Sequence, residues 1–391
     1  MNKYLITIVI GVIIILVGVY YLLFTNPEAQ PASTPTSTPE SIKLGLMIPL
    51  SGDNGSLGES ALAGAQLAVK EINDAGGVNG RLIEVAFEDD QCVKEGGVAA
   101  MTKLVVINQV TAVLGSLCAE ASAAANPIAQ VAGVPVIVVG AAAPELTRAG
   151  DFIFSIYPTE NAQAGAMAEY FRQILKKEKV AIVYADDEGG KNFSQAFETK
   201  FKELGGEVAY SNTITKDLVS KIKKAKADAV FLPVAPVAAL PVLKQIKDAE
   251  LKIPVVGRWS WETDLLVTAK EADGYSYFVP KTNNFEAFKN NLKSVVGKDA
   301  TVYSAYVYDA IKILAETMKH TGTDKKSLRT ALVSVSYDKG VFVPIVEFND
   351  SRELKTFLVG LKTIKDGKAE LVSEESSNTN ASSTTATSSA Q

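Results

Sequence analysis

The chain is poor in the residues that do covalent and metal chemistry. Its 391 residues include one histidine, two cysteines and two tryptophans. His320, Cys92 and Cys118 leave few soft donors for a zinc or iron site. There is no G-x-S-x-G elbow, no phosphate loop and no G-x-G-x-x-G fingerprint. Without a second histidine or a reactive thiol, nucleophilic catalysis has few candidate parts. Carboxylates are plentiful, but no spacing pairs two of them in one cleft. These absences argue against an enzyme and against a cofactor. A basic stripe is missing too: 39 Lys and Arg face 44 Asp and Glu, for a net charge of −5. Nucleic acid is therefore not an expected partner.

A charge-free apolar run stands ahead of the body, at the N-terminus. Tyr4 to Phe24 carries no charge over 21 residues, enough helix for roughly 32 Å, about one hydrocarbon core. The run is longer than the apolar region of a cleavable signal, and no small-residue cleavage site follows closely. It leads into Thr25-Asn26-Pro27, and no cysteine follows for lipidation. It reads as an uncleaved signal anchor, residues 1–24. Lys3 is the only cation near it, which places the N-terminus inside and the body outside the cell membrane, single-pass. Residues 25–41 are rich in Pro, Ser and Thr and read as an extended linker. Residues 373–391 form a Ser/Thr-rich tail with no capacity for a core.

Between linker and tail the composition is that of a globular chain, with 47% hydrophobic and 21% charged residues overall, and with room for two domains. Strand and helix patterns alternate from Ile42 to Val139, which predicts βαβ units on a parallel sheet. After the turn-rich stretch 51–58, Leu62, Ala65, Val69 and Ile72 mark one apolar helix face before the Asp74-Ala75-Gly76-Gly77 stop. Residues 112–146 carry two short β-branched runs, 112–114 and 134–139, around an alanine-rich helix at 119–132. Each run ends in small residues. Ligands of open α/β sheets sit outside the carboxyl ends of the strands, so both loops would share one binding wall. The alternation restarts at residue 161 and describes a second α/β lobe. Helices at 285–296 and 301–320 then return to the first lobe. Residues 341–348 and 356–364 read as a terminal antiparallel pair.

An ordered series of short motifs runs through the body: Ser51-Gly52, Gly58, Gly64, LAVKEIN at 67–73, GGVNGR at 76–81, DDQC at 89–92, LGSLC at 114–118 and AAAPEL at 141–146. In order and spacing the chain resembles the leucine/branched-chain amino-acid-binding proteins, the type I periplasmic solute-binding proteins of ABC importers. The resemblance spans residues 42–372. It implies an α/β fold of two Rossmann-like lobes joined by a three-strand hinge. Lobe 1 would comprise 42–158 plus 281–340, and lobe 2 would comprise 159–280 plus 341–372. The partners implied are a small-molecule ligand held by hinge closure, an ABC permease and, through the N-terminal helix, the membrane. The body is expected to be monomeric.

The family pairs cysteines at the positions of Cys92 and Cys118, and two cysteines in an exported body suit a disulfide. Buried free thiols are the alternative. The bridge would be worth about 3–4 kcal/mol in the chain-entropy model.

The family's amino-acid clamp transfers poorly. A serine that meets the ligand carboxylate falls at Ala119. The loop that meets both ligand charges falls at Gly140, Ala141 and Ala142, with Ala142 where a hydroxyl is expected. An acidic residue that meets the ammonium falls near Trp259. Tyrosine positions fall near Leu57, Gly189 and Ala235. Backbone amides at the start of the 119–132 helix remain as anion donors. Glu120 stands in that first turn, either opposing a carboxylate, serving a ligand amine or hydroxyl, or complementing the helix dipole. Trp259 and Trp261 offer a stacking surface, with at least one expected to face the cleft. A cleft of Ala, Gly, Leu and Trp suits a more apolar or aromatic ligand. A ligand-sensing ectodomain, or a degenerate scaffold on the same fold, is the alternative function. Asp186, Asp187 and Glu188 read as a solvated turn, and Asp89-Asp90 as a strand-end cap.

Overall fold

Strand β1 (Ile42–Ile48) buries every residue except Lys43. An apolar run covered on both faces belongs in the middle of a parallel sheet, and that is its position in the computed structural model. The structure describes residues 11–20, 40–143 and 145–372. Around β1 lie β2 (Ile83–Asp89), β3 (Ala112–Gly115), β4 (Val136–Val138) and β5 (Ile153–Ser155), in the order β2-β1-β3-β4-β5. All four pairings are parallel.

The second sheet repeats this order. Strands β6 (Lys179–Tyr184), β7 (Glu207–Thr213), β8 (Ala229–Phe231), β9 (Val255–Gly257) and β10 (Ser276–Pro280) run β7-β6-β8-β9-β10 in parallel. Strands β11 (Val359–Lys365) and β12 (Lys368–Leu371) extend it beyond β10 as an antiparallel pair. Each sheet reverses its strand order between its first and third strands. Such a switch point opens a crevice at the strands' carboxyl ends.

The helices that bear on the site are α1 (Gly55–Asp74), α2 (Lys94–Thr102), α3 (Ala119–Ala132), α4 (Glu160–Glu169), α5 (Glu188–Glu203), α6 (Pro236–Asp248) and α7 (Val302–Thr321). Helices α1 and α7 cover one face of the first sheet, and their apolar residues join one core. Gly64 permits that packing: a Cβ there would stand 2.0 Å from the Ser304 carbonyl oxygen. The second lobe has a core on each face of its sheet. One is an aromatic stack in which Phe197 and Phe231 lie 4.2 Å apart, centroid to centroid.

The chain crosses between the lobes three times, at residues 156–159, 281–284 and 355–358. The third crossing differs from the sequence expectation. Phe342, Val343, Val346, Phe348 and Leu354 pack in the first-lobe core, so the segment from 341 to 354 stays with lobe 1. The expected strand pair 341–348/356–364 does not form either. The Asp309 carboxylate takes the N–H groups of Val341, Phe342 and Val343 at 2.8, 3.0 and 3.2 Å, which removes them from any ladder. Strand β11 instead pairs with β10 and, through the Asp366-Gly367 turn, with β12. Both turn residues have positive φ, 50° and 72°, as the tight Asp-Gly hairpin turn requires.

Residues 11–20 are helical. Among the described residues no helix is long and apolar enough to cross a membrane. The rest of the charge-free run Tyr4 to Phe24, most of the 25–41 linker and the 373–391 tail lie outside the described residues.

Candidate functional site

The first-lobe wall begins where β3 ends. Cys118, in extended conformation, is the N-cap of α3 and provides no side-chain cap. Cys118 is disulfide-bonded to Cys92, with Cα atoms 5.3 Å apart. The bridge ties the start of α3 to the turn before α2, and buried hydrogen bonds brace it. Asp90 Oδ1 accepts from the Cys92 N–H at 2.9 Å, and Ser116 Oγ accepts from the Cys118 N–H at 3.0 Å. Burial pushes the Asp90 carboxyl above its ordinary pKa. Asp89 accepts from the N–H groups of Leu50 and Gln91 at 2.8 and 2.9 Å. Both acids therefore organise turns. Among the described residues no cluster of His, Cys, Asp and Glu could hold a metal.

Ala119 is exposed at the opening of α3. Glu120 is exposed as well, and its carboxylate pairs with Lys94 at 3.5 Å. Across the wall, Gly140 and Ala142 are half-buried and Ala141 is buried. Gly140 lies so close to Leu117 that a Cβ would stand 2.7 Å from the Leu117 Cα. Leu57 is half-buried against the first-lobe core.

On the second lobe, the loops after β6, β8 and β9 carry the other residues expected from sequence. Asp187 caps α5, accepting the Gly190 N–H at 2.6 Å, and Asp186 pairs with Lys191 at 2.8 Å. The acidic loop is thus a capped, solvated turn, with Gly189 exposed at its end. Ala235 is exposed as the N-cap of α6, ahead of Pro236. The tryptophans part company. Trp261 does not face the cleft: it is fully buried in the second-lobe core, and its indole N–H donates to the Val234 carbonyl at 2.9 Å. Gly257 makes room for it, since a Cβ there would meet the ring at 2.2 Å. Trp259 is half-buried, with its ring edge-on to Phe357 of the third crossing at 5.9 Å.

The residue between β9 and Trp259 is Arg258. Its guanidinium lies 3.8 Å over the Phe193 ring and 5.4 Å from Trp259. Nη2 donates to Gln163 Oε1 at 3.3 Å, and Nε has no partner. Gln163 is itself buried and anchored, its Nε2 donating to the Pro158 carbonyl at 2.8 Å. Burial draws the Arg258 pKa below its ordinary value against the attraction of Glu160 and Tyr157. Tyr157, in the first crossing, stacks at a tilt on Tyr306 at 4.9 Å, and burial pushes its hydroxyl up to about 12.

A cleft of about 1160 Å³ lies between first-lobe loops and the faces of α4 and α5, beside the third crossing. Ala119, Ala142 and Ala143 line it from the first lobe, Asn161, Asn192 and Gln195 from the second, and Phe357 from the third crossing. It brings together Ala119 and Ala142 of the residues expected from sequence, while Leu57, Gly189, Ala235 and Trp259 lie outside its lining. Sequence reasoning does not single out Asn161 and Phe357 of the cleft lining, or the Arg258–Gln163 pair outside it. Arg258 is legible in sequence as the residue at the carboxyl end of β9, next to the tryptophan pair. Gln163 and Phe357 had no local signal.

Two α/β lobes of repeated strand order, three crossings and a cleft at the carboxyl ends of β3 and β4 define a two-lobe solute-binding protein of type I. The chain matches the periplasmic binding protein family over residues 41–357 and belongs to that family. An amino acid binding protein of Pseudomonas aeruginosa is 28% identical over 299 residues, which cover 72% of this chain and 79% of that protein. An ABC transporter substrate-binding protein of Desulfitobacterium hafniense, solved in complex with leucine, is 26% identical and superposes with a TM-score of 0.67, covering 85% of this chain and 100% of that one. A branched-chain amino acid transporter substrate binding protein of Streptococcus pneumoniae, in complex with isoleucine, is 25% identical with a TM-score of 0.62, covering 85% and 99%. These relatives are binding proteins rather than enzymes.

Proposed function

We propose that this protein is the extracytoplasmic solute-binding component of an ABC importer. It captures a small ligand between its lobes by hinge closure about the three crossings and presents it to a permease. The charge-free run from Tyr4 to Phe24 tethers a monomeric body to the cell membrane, and residues 25–41 give it reach. The observation that carries this reading is the cleft itself, between the loops at the carboxyl ends of β3 and β4 and the faces of α4 and α5, with the third crossing along it. Leu57, Ala119, Glu120, Gly140, Ala141, Ala142, Gly189, Ala235 and Trp259 form the ligand wall in this proposal, and buried Trp261 leaves it. The alanines at 119 and 142 take away the hydroxyls that the family's amino-acid clamp uses, so the ligand is more apolar or aromatic than leucine. Each such lost contact is worth about 1–3 kcal/mol.

The test is a thermal-melt screen of the full chain, read by intrinsic fluorescence, against amino acids, amides, aromatic acids and sugars. A ligand of the site present at 100 times its Kd adds about 2.7 kcal/mol to stability. A strong shift with leucine, isoleucine and valine would return the protein to the usual ligands of its relatives. No shift with any class would remove solute capture. Release of intact chain from membranes by salt without detergent would count against the tether.

A further inference from the structure

Arg258 is a largely buried cation without an anion. Among the described residues no carboxylate forms an ion pair with it; its one hydrogen bond goes to a neutral amide, and its Nε is unpartnered. Taking a charge out of water costs several kcal/mol unless a counter-charge and hydrogen bonds replace the hydration. The surroundings hold the group without neutralising it. Phe193 lies beneath its plane at 3.8 Å, and Gln163 is locked by the Pro158 carbonyl. Glu160 attracts it from the start of α4, beyond ion-pair distance. The carboxyl end of β9, where Arg258 begins, is where an α/β sheet meets its ligand.

Charges on the opposite wall point the same way. Helix α3 opens toward the cleft at Ala119 with no side-chain cap, so its first N–H groups favour an anion. Glu120, the acid in that turn, pairs with Lys94. An α-ammonium group near β9 would meet a guanidinium where an amino-acid clamp needs a carboxylate. We infer that Arg258, at the carboxyl end of β9 and outside the lining of the 1160 Å³ cleft, is the charge-recognising residue for the ligand, and that this ligand is a carboxylate lacking an α-ammonium group, with an apolar or aromatic body against Trp259. This rests on the solute-binding reading above and narrows it to one ligand class. A planar guanidinium with a free Nε–H and a second N–H edge offers the fork that binds a carboxylate through two oxygens.

Matched ligands test this by calorimetry on the full chain in detergent. The set is 3-phenylpropanoate, phenylalanine and 3-phenylpropanamide, with 4-methylpentanoate and leucine as the aliphatic pair. The expected order is acid over amino acid and over amide by at least tenfold in Kd. R258M keeps the stem on Phe193 and should weaken the better acid by at least thirtyfold; R258K should recover part of that loss. Melting of R258M within a few degrees of the parent shows that the variant folds, and R258K carries the test if it does not. The inference is overturned if the amide or the amino acid binds as tightly as the acid, if R258M leaves the acid's Kd unchanged, or if no member of the set binds. A ligand of another class found in the broad screen would overturn it too while leaving solute capture standing. A screen without any ligand would remove both.

Discussion

Gln163 holds Arg258 from one side only. Its Oε1 accepts the guanidinium at 3.3 Å while its Nε2 is committed to the Pro158 carbonyl at 2.8 Å. The amide is thus a buried bridge between the first crossing and the end of β9. Q163L removes both bonds and leaves the Pro158 carbonyl unsatisfied. It should cost about 1–3 kcal/mol of stability, read as a lowered urea midpoint at unchanged slope. A change under about 0.5 kcal/mol would show that the bridge contributes nothing net.

The Cys92–Cys118 bridge spans a sequence separation of 26 and clamps the start of α3 to the turn before α2. The chain-entropy model assigns it about 3–4 kcal/mol. The double variant C92S/C118S should lose that much in urea unfolding, and the parent should lose the same under a reductant. Equal midpoints with and without reductant would contradict a stabilising bridge.

Asp309 provides a pH dependence. Burial pushes its carboxyl up to about 6, against the pull of three backbone N–H groups in the other direction. In the unfolded chain it titrates near 3.8. Between those values only the folded protein holds the proton, so this group's contribution to stability falls as pH rises from about 4 to about 6, by up to about 3 kcal/mol. Melting of D309N across that window should show a flatter slope than the parent. Parallel profiles would assign the dependence to other groups.

The two tryptophans should report different events. Trp259 is half-buried beside Phe357 at the third crossing, while Trp261 is sealed in the second-lobe core. Any ligand-induced fluorescence change should survive W261F and vanish in W259F. W261A should cost about 3–5 kcal/mol as a core truncation. A ligand response that persists in W259F would place the moving group elsewhere.

The alternation of apolar runs and amphipathic helices was enough to predict two α/β lobes, because a parallel strand buried on both faces must be a short apolar run. The expectation of a strand at 112–114 and a helix at 119–132 meets β3 at Ala112–Gly115 and α3 at Ala119–Ala132. The segment from 341 to 348 misled for an equally physical reason. Its β-branched residues suit a strand, but the Asp309 carboxylate, 32 residues earlier than Val341, takes its N–H groups. The Asp366-Gly367 signal that does make a hairpin lies further along the chain.

The site divides in the same way. Ala119, Ala142 and the cysteine pair stand in motifs of local order, and the sequence by itself determined that the fold is of the type I binding class and that the usual hydroxyls are missing. The tertiary structure alone decided which tryptophan is sealed in the second-lobe core, because burial depends on Gly257 and Val234 packing around Trp261. It also decided that Arg258 stands without an anion, since its neighbours Gln163 and Phe193 come from helices 95 and 65 residues earlier in the chain. Local patterns record what a residue prefers; whether a charge finds its partner depends on contacts that only the folded chain makes.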